Sequence, residues 1–324
     1  MAQDRVEAFN DKIRQHGLRA YWWLTRGERI APEPTVIRWS TLYPLLMEAG
    51  EVLSLEDAFR RNISGYQIVL PGERAAPHRH TASAMRFVIQ GDGSAYTTTN
   101  GEQMFMEPGD LLVQPGWGWH DHVNPGTEPV IWMDMLDVGL VKLLDVEFRE
   151  DWPRDEPQPI THAQGYYAAT YGTIRPARLV GAPVETPPIS YKYRDAIAML
   201  ERMAAEEEHD PYDGVLLEYT NPVTGGSVLP TLSARIQMLR PGESTRPHRH
   251  TGNVRYHVVR GRGITSFDLQ SPTDVSWDDH DEFWVPTWRW HQHRNPSPRE
   301  PAILFSVSDA PQAKAFGFYR EELG

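Results

Sequence analysis

Apolar and polar positions along this chain alternate mostly in short bursts, and helical spacing is confined to a few stretches. Val6, Phe9 and Ile13 fall three and four residues apart and predict an amphipathic helix over residues 5–16. Helices are also expected over 42–49, 55–61 and 196–208, the last ending near His209, Asp210 and Pro211. Tyr21-Trp22-Trp23-Leu24 is too aromatic for a free arm and is expected to cover the domain or a neighbouring subunit.

From Tyr66 the texture changes to short apolar strands punctuated by glycine and proline. The 67–70 run stops at Pro71-Gly72, the 85–90 run at Gly91-Asp92-Gly93, and 94–99 reaches Asn100-Gly101, a hairpin-turn dipeptide. Runs 111–114 and 130–133 follow Pro108-Gly109-Asp110 and Asn124-Pro125-Gly126. Residues 153–159 are proline-rich and charged, and 166–194 are irregular. Strand texture returns at 233–239, 255–259, 283–285 and 303–307. The fold class is all-β, with two jelly-roll β-barrels and short helices at the N-terminus and between them. The expected division is an arm over 1–62, a first barrel over 63–152, a linker and helix over 153–210, and a second barrel over 211–324.

Composition narrows the possible chemistry. The chain has 324 residues, enough for two cores of about 150 residues each. It carries 44 acidic against 32 basic side chains and no basic run, so neither nucleic acid nor an anionic membrane is an expected partner. An anionic substrate would need individual arginines. There is no cysteine, which removes disulfides, thiolate ligands and iron–sulfur clusters. No secretory leader or membrane-length apolar stretch is present, which points to the cytoplasm.

The histidines are not scattered. Eight of thirteen fall in two copies of one pattern. His78-Arg79-His80 precedes Trp117-Gly118-Trp119-His120-Asp121-His122, and His248-Arg249-His250 precedes Trp288-Arg289-Trp290-His291-Gln292-His293. The gaps from His80 to His120 and from His250 to His291 are 40 and 41 positions. Residues two apart on a strand share a face. His78 and His80 therefore point inward together, and His120 would meet them across the barrel lumen from another strand. Three imidazoles suit iron, nickel, zinc or copper and leave coordination positions for other ligands. His248, His250 and His291 form a second candidate triad.

The copies differ around these residues. Arg86 follows His80 by six positions where Tyr256 follows His250, and Asp134 ends an apolar run where Ser306 stands in the second copy. Arg86 would clamp a carboxylate, Asp134 would orient it or a histidine, and His122 would exchange a proton with a phenolic oxygen. Trp117 and Trp119 are expected in the core or pocket wall. Asn124 and Gly109 are expected to close turns.

Gly72, His78, His80, Ala84 and Gly91, then Gly109, Pro115, His120 and Asn124, resemble the two motifs of the cupin superfamily. Ala84 stands where that motif normally has glutamate, and Val254 does so in the second copy. The strings HRHTASAMRFVIQGDG, PGDLLVQPGWGWHDHVN and PVIWMDMLD resemble gentisate 1,2-dioxygenase and the related salicylate and 1-hydroxy-2-naphthoate dioxygenases. The resemblance implies a bicupin enzyme in which His78, His80 and His120 hold Fe(II). Its partners would be O2 and a small aromatic carboxylic acid, cleaved between the carboxyl-bearing and hydroxyl-bearing carbons. Arg86, Gln67, His122 and Asp134 match family residues around the substrate, and Arg38 matches an N-terminal arginine. A homodimer or homotetramer is implied.

Three departures bear on the ring substituent: Tyr43 replaces a family arginine, Ile63 replaces a pocket tryptophan, and the segment before Gln67 is shortened. Gentisate or another 5-substituted salicylate, such as 5-nitrosalicylate, is therefore expected. The competing readings are a cupin isomerase or diketone-cleaving dioxygenase, and a non-catalytic metal-binding bicupin. Arg86 and His122 favour the ring-cleaving enzyme.

Overall fold

The computed structural model describes residues 2–18, 34–53, 62–154, 156–178, 184–206 and 209–324. The expected 55–61 helix, the aromatic 21–24 stretch and the end of the 196–208 helix lie outside these residues. The chain divides into two compact units. The first comprises the described parts of Met1–Glu28, Ser40–Tyr193 and Pro222–Thr224, and the second those of Arg29–Trp39, Arg194–Asn221 and Gly225–Gly324. Among the described residues no helix is long and apolar enough to cross a membrane.

The N-terminal helix spans Ala2–Gln15 and buries Phe9 and Ile13, as their spacing predicts. Lys12 on its outer face is ion-paired with Glu48. Glu48 lies on a second helix, Trp39–Val52, which exceeds the expected 42–49 and buries Leu42, Leu45, Leu46 and Ala49.

Two antiparallel sheets make up most of the first unit. The larger runs in the order Ile189–Tyr191, Leu111–Gln114, Ala84–Gln90, Val130–Leu136, Tyr66–Val69, Asn62–Ile63. The smaller runs Arg149–Asp151, Arg74–His80, His120–Val123, Tyr96–Thr99, Glu102–Phe105. Val88, Val130 and Trp132 of the larger sheet pack with Ala95, Met104 and Met106, so the core lies between the sheets. The expected closed barrel does not form among the described residues. The two-residue strand Asn62–Ile63 and the strand Ile189–Tyr191 terminate the larger sheet, and no ladder continues into the smaller one.

The second unit repeats the plan. Its larger sheet is Val36–Ile37, Glu282–Val285, Val254–Arg260, Ala302–Ser308, Ser233–Leu239, Val215–Tyr219. The smaller is Thr273–Trp277, Gly263–Phe267, His291–Arg294, His248–His250, Glu321–Leu323. Tyr256, Phe283 and Leu304 meet Phe267 and Trp277 in the core between them.

The segment read as linker is tied to the first unit. Backbone N–H of Gln158 donates to the Asp121 carboxylate at 3.1 Å, and Gly165 and Tyr167 N–H donate to Glu102 at 2.7 and 2.8 Å. Gly109 adopts φ +88°, and a Cβ there would stand 2.4 Å from the Tyr193 ring, so this turn requires glycine.

Candidate metal centres

His78 and His80 project from the same face of the Arg74–His80 strand, both buried. His120 is not across a lumen. It opens the neighbouring strand of the same sheet and pairs in register with His78. Direct cross-strand neighbours have their Cβ atoms only about 5 Å apart. The rings accordingly sit with centroids 4.2 Å apart for His78 and His120, 4.9 Å for His80 and His120, and 5.6 Å for His78 and His80. One nitrogen from each lies within 4.8 Å of the other two.

The outer nitrogens decide what the inner ones can do. His78 Nδ1–H donates to the Ala76 carbonyl at 2.9 Å, His80 to Ala82 at 2.8 Å and His120 to Gly118 at 3.0 Å. A carbonyl oxygen only accepts, so each Nδ1 carries the proton and each Nε2 presents a lone pair. Burial pushes the imidazoles down, His78 to about 3 and His80 to about 4. His120 is held well below the ordinary value by burial, with further lowering from His78 and Arg86. All three are neutral near pH 7. The donor set fits a divalent first-row metal ion.

Arg86 is 3 % exposed, directly opposite Asp134 in the ladder, with its Nε 3.5 Å from the Asp134 carboxylate. Its Nη1 donates to Gln114 Oε1 at 2.6 Å, while Nε has no hydrogen bond among the described residues. Burial lowers the Arg86 guanidinium and Asp134 raises it. Sequence reasoning missed Gln114. Its one signal was the register partner of Gln114, Ala84, the small residue in the glutamate position of the motif. His122 lies two past His120 on the same face, with ring centroids 5.9 Å apart, and its buried Nδ1 has no hydrogen-bond partner among the described residues. Gln67 is 7 % exposed and pairs in register with Trp132, two positions before Asp134.

Other sequence expectations land elsewhere. Arg38 belongs to the second unit, where it donates to Asp281 at 2.5 Å and to Ser276 at 3.2 Å. Trp117 is 43 % exposed rather than core. Trp117 and Trp119 flank the Arg79 guanidinium at 4.6 and 4.7 Å, and Arg79 Nε also donates to Glu150 at 2.9 Å. Asn124 does close its turn, its Nδ2 donating to the Val69 and Glu128 carbonyls at 3.0 and 2.9 Å.

Two segments of the chain, 65–138 and 235–308, match the cupin domain model. Over 99 % of its length the chain is 34 % identical to 5-aminosalicylate 1,2-dioxygenase of Comamonas sp, covering 91 % of that protein. It is also 34 % identical to gentisate 1,2-dioxygenase 1 of Aquipseudomonas alcaligenes, covering 99 % of this chain and 97 % of that one. The chain belongs to the gentisate and salicylate 1,2-dioxygenase family. Among solved structures of this family, the salicylate 1,2-dioxygenase of Pseudaminobacter salicylatoxidans superposes with a TM-score of 0.78 at 26 % identity, covering 98 % of this chain and 97 % of that one.

The second triad keeps the geometry of the first but not its surroundings. His248 pairs in register with His291, with ring centroids 4.2 Å apart, and His250 lies 5.4 Å from His291. Tyr256 and Ser306 face each other in the ladder at the positions of Arg86 and Asp134. His293 is a bonded core residue, its Nδ1 2.9 Å from Thr265 Oγ1, unlike His122.

Proposed function

We propose that this chain is an Fe(II)-dependent dioxygenase of salicylate-type acids. It opens the ring between the carboxyl-bearing carbon and the adjacent hydroxyl-bearing carbon, with both atoms of O2 entering the product. The observation that carries this reading is the set of three buried imidazoles whose protons are fixed on Nδ1, leaving three convergent Nε2 lone pairs. A bound iron(II) ion would relay electron density from the aromatic acid, which is the reductant, to dioxygen.

His78, His80 and His120 are the ligands. Arg86 holds the substrate carboxylate through guanidinium N–H groups that Gln114 does not use, and Asp134 keeps the guanidinium in place. His122, neutral in its buried position, accepts a hydrogen bond from the phenolic hydroxyl. Gln67 contributes an amide to the wall beside Asp134. Gentisate and 5-aminosalicylate are the preferred substrates, because the relatives that act on them align with nearly the whole chain. The active form is a cytoplasmic homodimer or homotetramer, supported by exposed apolar side chains at Leu143, Leu144 and Phe148.

The test is oxygen uptake after anaerobic Fe(II) loading, with gentisate, 5-aminosalicylate, 5-nitrosalicylate, salicylate and 1-hydroxy-2-naphthoate as substrates. Uptake with at least one 5-substituted acid, at one O2 per acid consumed, is expected. A chain shown to carry iron that consumes oxygen with none of them refutes the proposal.

A further inference from the structure

The larger sheet of the first unit carries a buried polar group with one end unused. Gln114 ends the strand Leu111–Gln114 and is 0 % exposed. It pairs in register with Ala84, and Leu112 pairs with Arg86, so Gln114 and Arg86 stand on one face of the sheet. Trp132 and Asp134 share that face from the next strand, and the Trp132 ring lies 4.9 Å from His122. The face is therefore the one turned towards the first triad.

The orientation of the Gln114 amide is dictated by its neighbour. Arg86 Nη1 donates to Gln114 Oε1 at 2.6 Å. A guanidinium has donors only, so the carbonyl end of the amide must face Arg86 and the NH2 end must face away. That Nε2 is buried and has no hydrogen-bond partner among the described residues. Ala84, its register partner, offers a methyl group and no side-chain acceptor. A donor buried without an acceptor costs free energy, and such groups are rare in folded chains. Holding Arg86 accounts for Oε1 and leaves Nε2 without a purpose.

The second unit shows that the fold itself does not call for this group. Val254 and Val285 stand at the positions of Ala84 and Gln114, pair in register, and pack in the core. Tyr256 takes the position of Arg86 there. Glutamine accompanies the arginine in one unit, and valine stands where the arginine is missing in the other.

We infer, on the ring-cleaving reading above, that Gln114 is a second substrate-binding residue. Its Nε2–H donates to one oxygen of the aromatic acid's carboxylate while Arg86 donates to the other. A carboxylate accepts through both oxygens, and an arginine and an amide locked together by their own hydrogen bond present N–H groups side by side. The amide adds a donor without adding charge.

The experiment measures anaerobic binding of salicylate to the full chain loaded with Zn(II), an ion without redox chemistry, by calorimetry, and determines the crystal structure of that complex. Gln114 Nε2 is expected within about 3.2 Å of a carboxylate oxygen. Gln114→Leu should raise the Kd for salicylate about ten- to hundredfold, while the Kd for catechol, which lacks the carboxylate, stays within about twofold. Gln114→Glu keeps an acceptor for Arg86 and loses the donor, so it should weaken salicylate as well. A role confined to positioning Arg86 predicts natural affinity in the Glu variant. That result overturns the inference, as does a carboxylate bound to Arg86 but farther than about 3.5 Å from Gln114 Nε2. Either leaves the ring-cleaving reading standing, whereas salicylate bound away from Arg86 overturns both.

Discussion

Replacing Asp121 with alanine tests whether the first triad is held from behind. Asp121 sits between His120 and His122 and points to the other face of their strand, with 0 % exposure. Its carboxylate accepts the backbone N–H of Thr98 and of Gln158, each at 3.1 Å. Thr98 is on the adjacent strand and Gln158 on the segment after the sheet, so one side chain ties three pieces of backbone together. The alanine variant strands two buried donors, at roughly 1–3 kcal/mol each, or about 2–6 kcal/mol together. At roughly 2–4 °C per kcal/mol for a unit of this size, the metal-free midpoint should fall by at least about 4 °C. Asp121→Asn keeps one acceptor oxygen and should lose about half as much. Because His120 is adjacent, Co(II) affinity at the first site should drop roughly tenfold in the alanine variant, by analogy with outer-shell partners of metal ligands. The assays are thermal denaturation followed by circular dichroism and a Co(II) titration in a His291→Ala background. A midpoint within about 1 °C of the natural chain, or unchanged Co(II) affinity, would refute the reasoning.

Arg86→Met should lower kcat/KM for the aromatic acid by roughly 10²–10³, about 3–4 kcal/mol, through loss of a buried charge-assisted contact. Inhibition by a catechol lacking the carboxylate should change little, and equal losses for both would exclude carboxylate binding as the role of Arg86. His120→Gln should abolish iron retention and oxygen uptake with a near-natural circular dichroism spectrum; retained uptake would remove His120 from the site. Gly109→Ala should destabilise the first unit by at least about 1 kcal/mol, since alanine is disfavoured at φ +88° and meets the Tyr193 ring. A midpoint equal to that of the natural chain would contradict it. The acid response of the metal-free chain follows from imidazoles held at about 3 and about 4 against the ordinary value of 6.5. Their folded-state values are depressed, so the associated stability is present above about pH 6.5. It is lost as pH falls towards 4 and then 3, because the unfolded chain takes up the protons first. Denaturant midpoints at pH 7.5, 6 and 5 should decline in that order and flatten in the His78→Ala/His80→Ala double variant.

Much of the first site is legible in the chain because its determinants are local. Two histidines two positions apart share a face by the geometry of any strand, and the duplicated 40- and 41-residue gaps announce the third ligand. Arg86 and Asp134 are found by comparing the copies and prove to be ladder partners. The failures concern contacts with no local signature. The position of His120 beside His78 depends on strand order, which periodicity does not report. Gln158 and Glu102 anchor a segment whose proline content resembles a free linker. Asp213 comes within 3.9 Å of His248 from 35 positions before it, outside both motifs. Trp117 and Trp119 suggest burial by composition, but an arginine gives them an exposed partner instead.

That arginine has a counterpart. Arg249 lies 4.6 and 4.7 Å from the rings of Trp288 and Trp290 and donates to Glu322 at 2.9 Å, as Arg79 does with Trp117, Trp119 and Glu150. Each guanidinium rivets the strand bearing two of the histidines to the turn that delivers the third, working from the outer skin of the sheet. The two halves differ inside, with Tyr256 and Ser306 where the first has Arg86 and Asp134, while wearing the same buckle outside. Chemistry in either half can therefore be rewritten from the inner face alone, with the frame that spaces the three rings left as it is.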